Sequence, residues 1–204
     1  MKTKSEWEDL EQKLQNALTQ NRYRHTLGVS YTACALAMRY GEDLNSARRA
    51  GLLHDCAKCM SNAEMRQLAK KKKIEVSAFE LEHPALLHSK IGVYVAGSTY
   101  GITDPRILEA IRWHTTGRPG MTLLESILFT ADYIEPNRDK APRLPELRRL
   151  AFTDLDRCVY EILHDTVDYL SDNPKSMDPM TLKALEFYRN RIVEADRQDG
   201  CSAR

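Results

Sequence analysis

Apolar residues recur at intervals of three and four along nearly the whole chain, the spacing of one face of an α-helix. No stretch shows the convincing alternation of apolar and polar residues that a half-buried β-strand produces. Glycine and proline separate the periodic segments, for example at Gly41, Gly101 and Pro136. The pattern predicts an all-α fold with helices near residues 5–18, 20–40, 43–57, 61–72, 84–99, 104–114, 122–134, 144–151, 154–171 and 178–195.

The chain contains two His-Asp dipeptides, and the helical pattern distinguishes them. His54-Asp55 directly follows an apolar segment. His164-Asp165 lies in a helix whose apolar stripe includes Leu155, and at about 100° per residue His164 points roughly opposite that stripe. We therefore expect His164 to be exposed to solvent, and His54 and Asp55 to face the interior.

Three more histidines and one more aspartate fall on apolar helix faces, and these are His25, His88, His114 and Asp132. A single inward histidine is more often a satisfied core residue than a ligand, and a single inward aspartate is more often the partner of a basic side chain. Together with His54 and Asp55, however, the set favours one site over several accidents. Imidazole nitrogens and carboxylate oxygens suit a divalent ion such as iron, manganese or zinc.

Charge and hydropathy limit the classes of partner. The 30 basic and 29 acidic residues of this 204-residue chain nearly cancel, so no strongly basic surface argues for nucleic acid or membrane binding. No apolar stretch reaches the roughly 18 residues that a membrane span requires, and no signal peptide is recognisable. We therefore expect a cytoplasmic protein.

Cysteine usage agrees with that expectation. The five cysteines are odd in number and scattered, which favours reduced thiols over a disulfide framework. Cys56 and Cys59 match C-x-x-C, but no βαβ context and no second pair accompany them, so a redox or zinc role is disfavoured. No linker divides the chain, and one domain is expected.

Five stretches carry a resemblance to a known family. They read Arg-Tyr-Arg-His-Thr-Leu-Gly-Val (22–29), Gly-Leu-Leu-His-Asp-Cys-Ala-Lys (51–58), Leu-Leu-His-Ser-Lys-Ile-Gly (86–92), Ile-Arg-Trp-His-Thr-Thr-Gly (111–117) and Ala-Asp-Tyr-Ile-Glu-Pro-Asn-Arg (131–138). The order histidine, His-Asp, distant aspartate resembles the HD-domain superfamily of phosphohydrolases. The stretches look like the bacterial symmetrical diadenosine tetraphosphate hydrolases of the YqeK type.

The resemblance covers about residues 20–190 and implies an HD-domain helical bundle. Residues 1–204 would form a single domain, with the helix at 5–18 packed on the core or placed at an interface. Trp7, Leu10, Leu14 and Leu18 in that segment fit either a core flank or a homodimer contact.

The activity implied by the resemblance is cleavage of diadenosine tetraphosphate at its central bridge to give two ADP molecules. His25, His54, Asp55 and Asp132 would then bind the metal, with iron first and manganese, cobalt or zinc as alternatives. Independently of the family, a divalent cation can activate a bound water and offset phosphoryl charge, so no serine or cysteine nucleophile is required.

Lys58, His88 and His114, together with Asp55, are the predicted catalytic residues. Lys58 lies one turn beyond His54 and could bind phosphate or neutralise the leaving group, or simply favour a helix end. His88 and His114 could hold a second metal or contact phosphate, and one or two ions are compatible with the sequence. We favour phosphate contacts for both histidines.

Three further residues are predicted to contact the substrate. Arg22 and Arg138 carry guanidinium groups that suit phosphate, although without the family each would more often form a surface ion pair. Thr115 could donate a hydroxyl hydrogen bond or cap a helix end.

Met177, Asp178 and Pro179 lie in a stretch that resembles the family's nucleotide-side segment. The family usually carries a histidine where this chain has Asp178, so the nucleotide preference is open at this position. Asp178 and Pro179 also make a good helix start without any role in binding.

Two other functions fit the same residues. One is a different HD phosphohydrolase acting on nucleoside monophosphates or cyclic nucleotides, and the other is a non-catalytic sensor that binds ADP or an alarmone. The complete ligand set argues against the sensor.

Overall fold

Helices account for nearly all regular structure in the computed structural model, which describes residues 5–171 and 177–202. No β-strand occurs in these two ranges, so the prediction of an all-α fold is confirmed. The helices are α1 Glu6–Ala17, α2 Gln20–Tyr40, α3 Leu44–Leu53, α4 Asn62–Lys72, α5 Ala78–Glu82, α6 Leu87–Ser98, α7 Pro105–Trp113, α8 Leu123–Ile134, α9 Leu144–Leu150, α10 Leu155–Leu170 and α11 Pro179–Ser202, with a 3₁₀ turn at Pro84–Leu86.

The predicted helix ends differ from the observed ones mainly at α3, α5 and α11. Helix α3 ends at Leu53, because the next residues form tight turns in which Cys56 N donates to Leu53 O and Lys58 N to Asp55 O. Helix α5 was missed because five residues are too few to show a period. Helix α11 continues beyond residue 195 to Ser202.

Side-chain caps start the helices that the sequence marked. Asp104 accepts a hydrogen bond from Arg106 N at 2.9 Å, immediately before Pro105 opens α7. Thr122 and Glu125 form the predicted capping box at the start of α8. Local sequence therefore fixes where these two site-bearing helices begin.

Helix α2 lies at the centre of the site-bearing bundle and contacts α3 and α8, while α7 contacts α3, α6 and α8. The shared core contains fully buried aliphatic side chains from each of these helices. Leu14 of α1 is also fully buried in this core, and Trp7 and Leu10 pack against it. The inner face of α1 thus flanks the core in this structure.

Helices α2 and α3 approach each other closely at Gly51. A Cβ atom at this position would lie 2.5 Å from the Cα of Ser30 and 2.9 Å from its backbone nitrogen. Backbone atoms cannot move aside as a flexible side chain could, so we expect Gly51→Ala to destabilise the fold by about 1–3 kcal/mol. Chemical denaturation of both proteins would measure the change.

Gly97 of α6 is the matched control, since its added Cβ would meet nothing closer than 3.6 Å. Alanine is favoured over glycine within a helix, so Gly97→Ala should be neutral or stabilising by up to about 1 kcal/mol. Equal stability changes in the two variants would show that the close approach at Gly51 is unimportant.

The cysteines that the structure describes in full, Cys34, Cys56, Cys59 and Cys158, are free thiols. Burial, followed by the charge of Asp55, raises the pKa of Cys56 to about 12, whereas Cys59 is exposed. A thiol with so high a pKa is a poor nucleophile.

Across the described residues, no helix combines the length and apolar character needed to cross a membrane.

Candidate metal centre

The predicted site residues come from five separate segments of the bundle. His25 lies in the second turn of α2, His54 and Asp55 in the turn after α3, and His88 in the first turn of α6. His114 follows the end of α7, and Asp132 lies in the last turn of α8. Five of these six side chains line a cavity of about 550 Å³, and the sixth, His54, lies behind them with 0% exposure.

Four of the side chains converge on one point. The Nε2 atom of His25 lies 3.0 Å from Asp132 Oδ1 and 3.3 Å from His54 Nε2. His54 Nε2 is 3.4 Å from Asp55 Oδ2. Donor atoms that share an ion at about 2.1 Å lie about 3 Å apart, so these separations fit one metal with nitrogen and oxygen ligands.

Asp55 connects this group to a second one. Its Oδ1 atom lies 3.3 Å from His88 Nε2 and 3.7 Å from His114 Nε2, and the two histidine atoms are 3.2 Å apart. Oδ1 is buried and has no hydrogen-bond partner. Because an unpaired buried carboxylate oxygen is costly, a cation at this position would satisfy it. The residues present therefore fit a metal.

Backbone carbonyls fix the orientation of three of the histidines. The Nδ1 atoms of His54, His88 and His114 lie 2.7, 2.5 and 2.7 Å from the carbonyl oxygens of the third residue before each. A carbonyl oxygen can only accept, so Nδ1 carries the proton and Nε2 keeps its lone pair. Metal-binding histidines characteristically have such a partner on the other ring nitrogen.

The surrounding charges hold the aspartates ionised. Burial raises the pKa of Asp55 and of Asp132, but nearby groups outweigh it in both cases. Interactions with His54 and His114 bring the pKa of Asp55 well below its usual range, and the contact with His25 is the main one that does so for Asp132. Both carboxylates are therefore available as ligands at neutral pH.

The pKa values of the two histidines at opposite ends of the site are shifted in opposite directions. Burial, followed by the charges of His114 and Lys58, lowers the pKa of His88 to about 3, so its imidazole is neutral. Burial also opposes protonation of His25, yet the hydrogen bond and charge of Asp132 outweigh it and raise the pKa of His25. The neutral ring of His88 can act as a ligand through Nε2.

The predicted basic residues surround the carboxylates. Arg22 Nη1 donates to Asp55 Oδ2 at 2.6 Å, and Arg138 Nη2 donates to Asp132 Oδ1 at 3.0 Å. Both arginines also line the cavity. Each arginine therefore forms an ion pair and also lies at the predicted substrate site, because its aspartate partner lines the same cavity.

Lys58 and Thr115 lie beside the second histidine pair. Lys58 Nζ is 3.2 Å from both ring nitrogens of His88, and burial is the main reason that its pKa is lowered. Thr115 Oγ1 is 3.2 Å from His88 Nε2 and 3.1 Å from His114 Nε2. Both side chains line the cavity and can reach a ligand within it.

Other predicted residues lie away from this cavity. Among the described residues, its lining does not include Met177, Asp178 or Pro179, and Asp178 instead caps α11 by accepting from Met180 N at 2.8 Å. Ser176 of the same stretch lies outside the described residues. The prediction that His164 is solvated is confirmed, since its side chain is 46% exposed.

The cavity also has residues for which the sequence suggested no role: Arg24, Glu135, Asn137 and Lys140. Glu135 accepts a hydrogen bond from His25 Nδ1 at 3.1 Å and is 1% exposed. Glu135 is the first residue after α8, and no local pattern signals its contact with His25, which lies 110 residues away in sequence. Arg24 and Lys140 also carry no signal, because exposed basic residues are common.

Comparison with known proteins agrees with this geometry. The family model described as HD domain matches residues 22–137, a range that contains all six of the converging side chains. The chain belongs to the HD domain family. An HD domain and the His-Asp cluster together indicate a site for a divalent metal.

Curated relatives of this HD domain protein extend over most of its length. A Bacillus subtilis (strain 168) protein is 43% identical over 80% of this chain and 87% of its own. A Halalkalibacterium halodurans protein is 42% identical over 87% of this chain and 92% of its own length. A Staphylococcus aureus protein is 34% identical over 84% of this chain and 88% of its own length. All three are named bis(5'-nucleosyl)-tetraphosphatase, symmetrical.

A solved structure supports the fold of this HD domain protein. A crystal structure from Clostridium acetobutylicum, described as a predicted HD superfamily hydrolase involved in NAD metabolism, superposes with a TM-score of 0.87. The two proteins share 36% sequence identity, and the match covers 91% of this chain and 97% of the other. The predicted HD-domain helical bundle is confirmed.

Proposed function

We propose that this HD domain protein hydrolyses diadenosine tetraphosphate symmetrically and releases two ADP molecules. The observation that carries the proposal is the set of His25, His54, Asp55 and Asp132, which converge beside a cavity with a buried, unpaired carboxylate oxygen. Relatives that share 34–43% identity over most of the chain are named for this activity. Together these points favour a metal-dependent phosphoric anhydride hydrolase.

The metal in this proposal is held by His25, His54, Asp55 and Asp132. We propose iron as the resident ion, with manganese, cobalt and zinc as alternatives that the same nitrogen and oxygen donors would accept. When bound, the ion supplies a Lewis acid that activates water and offsets negative charge on the phosphoryl group.

The basic side chains of the cavity bind the substrate in this proposal. Within residues 5–171 and 177–198, Arg24, Lys58 and Lys140 line the cavity without an ion-pair partner. A polyphosphate chain carries several negative charges and would compensate these cations. Arg22 and Arg138 line the cavity together with the aspartates they pair with, so each guanidinium can contact phosphate at the same time.

His88, His114 and Thr115 lie on the far side of Asp55 from His25. The Thr115 hydroxyl can donate to a phosphoryl oxygen next to the scissile bridge, and Lys58 is placed to neutralise the departing ADP. His88 and His114 would contact phosphate only with a proton on Nε2, because their Nδ1 protons are held by backbone carbonyls. The proposal leaves out Met177, Asp178 and Pro179 because they do not line the cavity.

A second ion is the alternative role for His88 and His114. Those two histidines and Asp55 form a cluster whose ligand atoms lie within 4.8 Å of one another. Their Nδ1 protons are held by carbonyl groups, which leaves the Nε2 lone pairs facing the cluster. The metal content per chain decides between one ion with two phosphate-binding histidines and two ions, the second of which Asp55, His88 and His114 would hold.

The reaction is tested by metal analysis of the purified protein followed by incubation with diadenosine tetraphosphate and chromatography of the products. ADP as the sole product, lost on chelation and restored by metal, is expected. ATP plus AMP would overturn the position of cleavage, and tight binding without turnover would favour the sensor. NAD serves as a competing substrate because the Clostridium acetobutylicum protein is described in connection with NAD metabolism.

Nucleoside plus inorganic phosphate, formed from a nucleoside monophosphate, would instead favour another class of HD phosphohydrolase.

We further propose a cytoplasmic location, which the free thiols of the described cysteines support.

A further inference from the structure

Glu135 is a buried carboxylate that contacts the candidate metal centre without belonging to it. Its Oε1 accepts from Nδ1 of His25 at 3.1 Å, while Nε2 of the same ring faces Asp132 Oδ1 at 3.0 Å. The Glu135 side chain is 1% exposed, so solvent does not screen this contact. His25 thus has one ring nitrogen directed at the metal position and the other at Glu135.

Neighbouring groups hold the carboxylate of Glu135 in one orientation. Its second oxygen, Oε2, accepts from the backbone nitrogen of Asn137 at 2.7 Å and from Asn137 Nδ2 at 2.9 Å. Gly28 lies against this oxygen so closely that a Cβ atom there would be 2.2 Å away. With Oε2 held in this way, Oε1 is left to face His25.

Glu135 also has a fixed backbone. It ends α8, where its nitrogen donates to Ala131 O at 3.1 Å, and its carbonyl accepts from Arg148 Nη2 at 2.9 Å. Pro136 follows directly and restricts the chain further. Main chain and side chain are therefore both fixed before any ligand binds.

We propose that Glu135 is a positioning residue that keeps the proton of His25 on Nδ1 and so presents the Nε2 lone pair to the metal. His54, His88 and His114 obtain the same arrangement from backbone carbonyls. His25 lies within a regular helix, where the carbonyl groups before it are used by the helix itself. A carboxylate from α8 replaces that missing acceptor.

The inference rests on the metal site of the proposed function, and it does not depend on which nucleotide is the substrate. A protein that bound metal as expected but failed to cleave diadenosine tetraphosphate would leave it intact. Its test is therefore metal binding, which is independent of turnover.

Glu135→Gln tests the proposal with almost no change in shape. The backbone N–H of Asn137 can only donate, so the amide oxygen of glutamine will face Asn137 and the amide NH₂ will face His25 Nδ1. His25 Nδ1 must then accept a hydrogen bond from this NH₂ group. The ring proton therefore moves to Nε2, where it blocks the atom that would bind the metal. Metal affinity, measured by competition with a chromophoric chelator, is expected to fall about ten- to hundredfold.

Glu125→Gln is the matched control. Glu125 belongs to the same helix and is 2% exposed, but its carboxylate pairs with Arg118 rather than with a histidine. We expect its metal affinity to match that of the unaltered protein. Unchanged affinity in Glu135→Gln, or an equal loss in both variants, would overturn the proposal.

A second measurement does not need a variant. In the zinc-loaded protein, nitrogen NMR of the histidine rings is expected to show the His25 proton on Nδ1 and the metal on Nε2. A proton on Nε2, or metal bound through Nδ1, would overturn the role of Glu135. Thermal melting of the metal-free variants checks that both retain the fold.

Discussion

Asp55→Ala is expected to abolish metal retention and hydrolysis together. Asp55 is 3% exposed, and its two oxygens face opposite pairs of histidines, so no other carboxylate can replace it. A bound ion supplies several kcal/mol of stabilisation to the transition state, and its loss corresponds to at least about a thousandfold in rate. Metal content by plasma emission and ADP release by chromatography measure the two effects.

Asp55→Asn accompanies the alanine variant because it keeps the shape of the side chain while removing its charge. His164→Ala is the control, since the His164 side chain is exposed, with its Nδ1 atom 3.2 Å from Asp168 and its ring beside Tyr160. We expect His164→Ala to retain metal and activity. Equal losses in His164→Ala would show that the wrong His-Asp pair had been assigned to the site.

Lys58→Met is expected to reduce kcat/KM about a hundredfold while leaving the metal content unchanged. The Lys58 ammonium has no carboxylate partner among the described residues and lies 3.2 Å from His88, inside the cavity. Methionine keeps the length of the side chain but cannot offset charge on a phosphoryl group or on departing ADP. Steady-state kinetics with diadenosine tetraphosphate would measure the loss.

Lys70→Met removes the same charge from the exposed end of α4 and should leave kcat/KM near that of the unaltered protein. Lys58→Arg restores the charge and should recover part of the activity. If Lys58→Met instead lost metal along with activity, the side chain would be supporting His88 rather than the substrate.

Helical periodicity predicted much of this architecture because the helices bury one face and expose the other. The rule placed His25, His88, His114 and Asp132 inside and His164 outside from the phase of neighbouring apolar residues alone. The contacts between these side chains arise from helix packing, which periodicity does not describe.

The turn after α3 shows where such reasoning fails. A continuous helix through residue 57 would place His54 and Asp55 about 100° apart, whereas the observed turn ends the helix at Leu53 and allows both side chains to face the cavity. Glu135 was missed for a related reason, since its partner His25 lies 110 residues away in sequence. Long-range pairs of this kind have no local signal.

The four proposed metal ligands come from three separate segments, which has a consequence for how long the protein survives in a cell. An ion held by residues of α2, α8 and the turn after α3 ties together parts of the chain as far apart as His25 and Asp132. Binding at a hundred times the dissociation constant would add about 2.7 kcal/mol to the stability of the folded state. Metal starvation would therefore expose the chain to proteolysis as well as stop the reaction, so that metal supply would set the abundance of the protein.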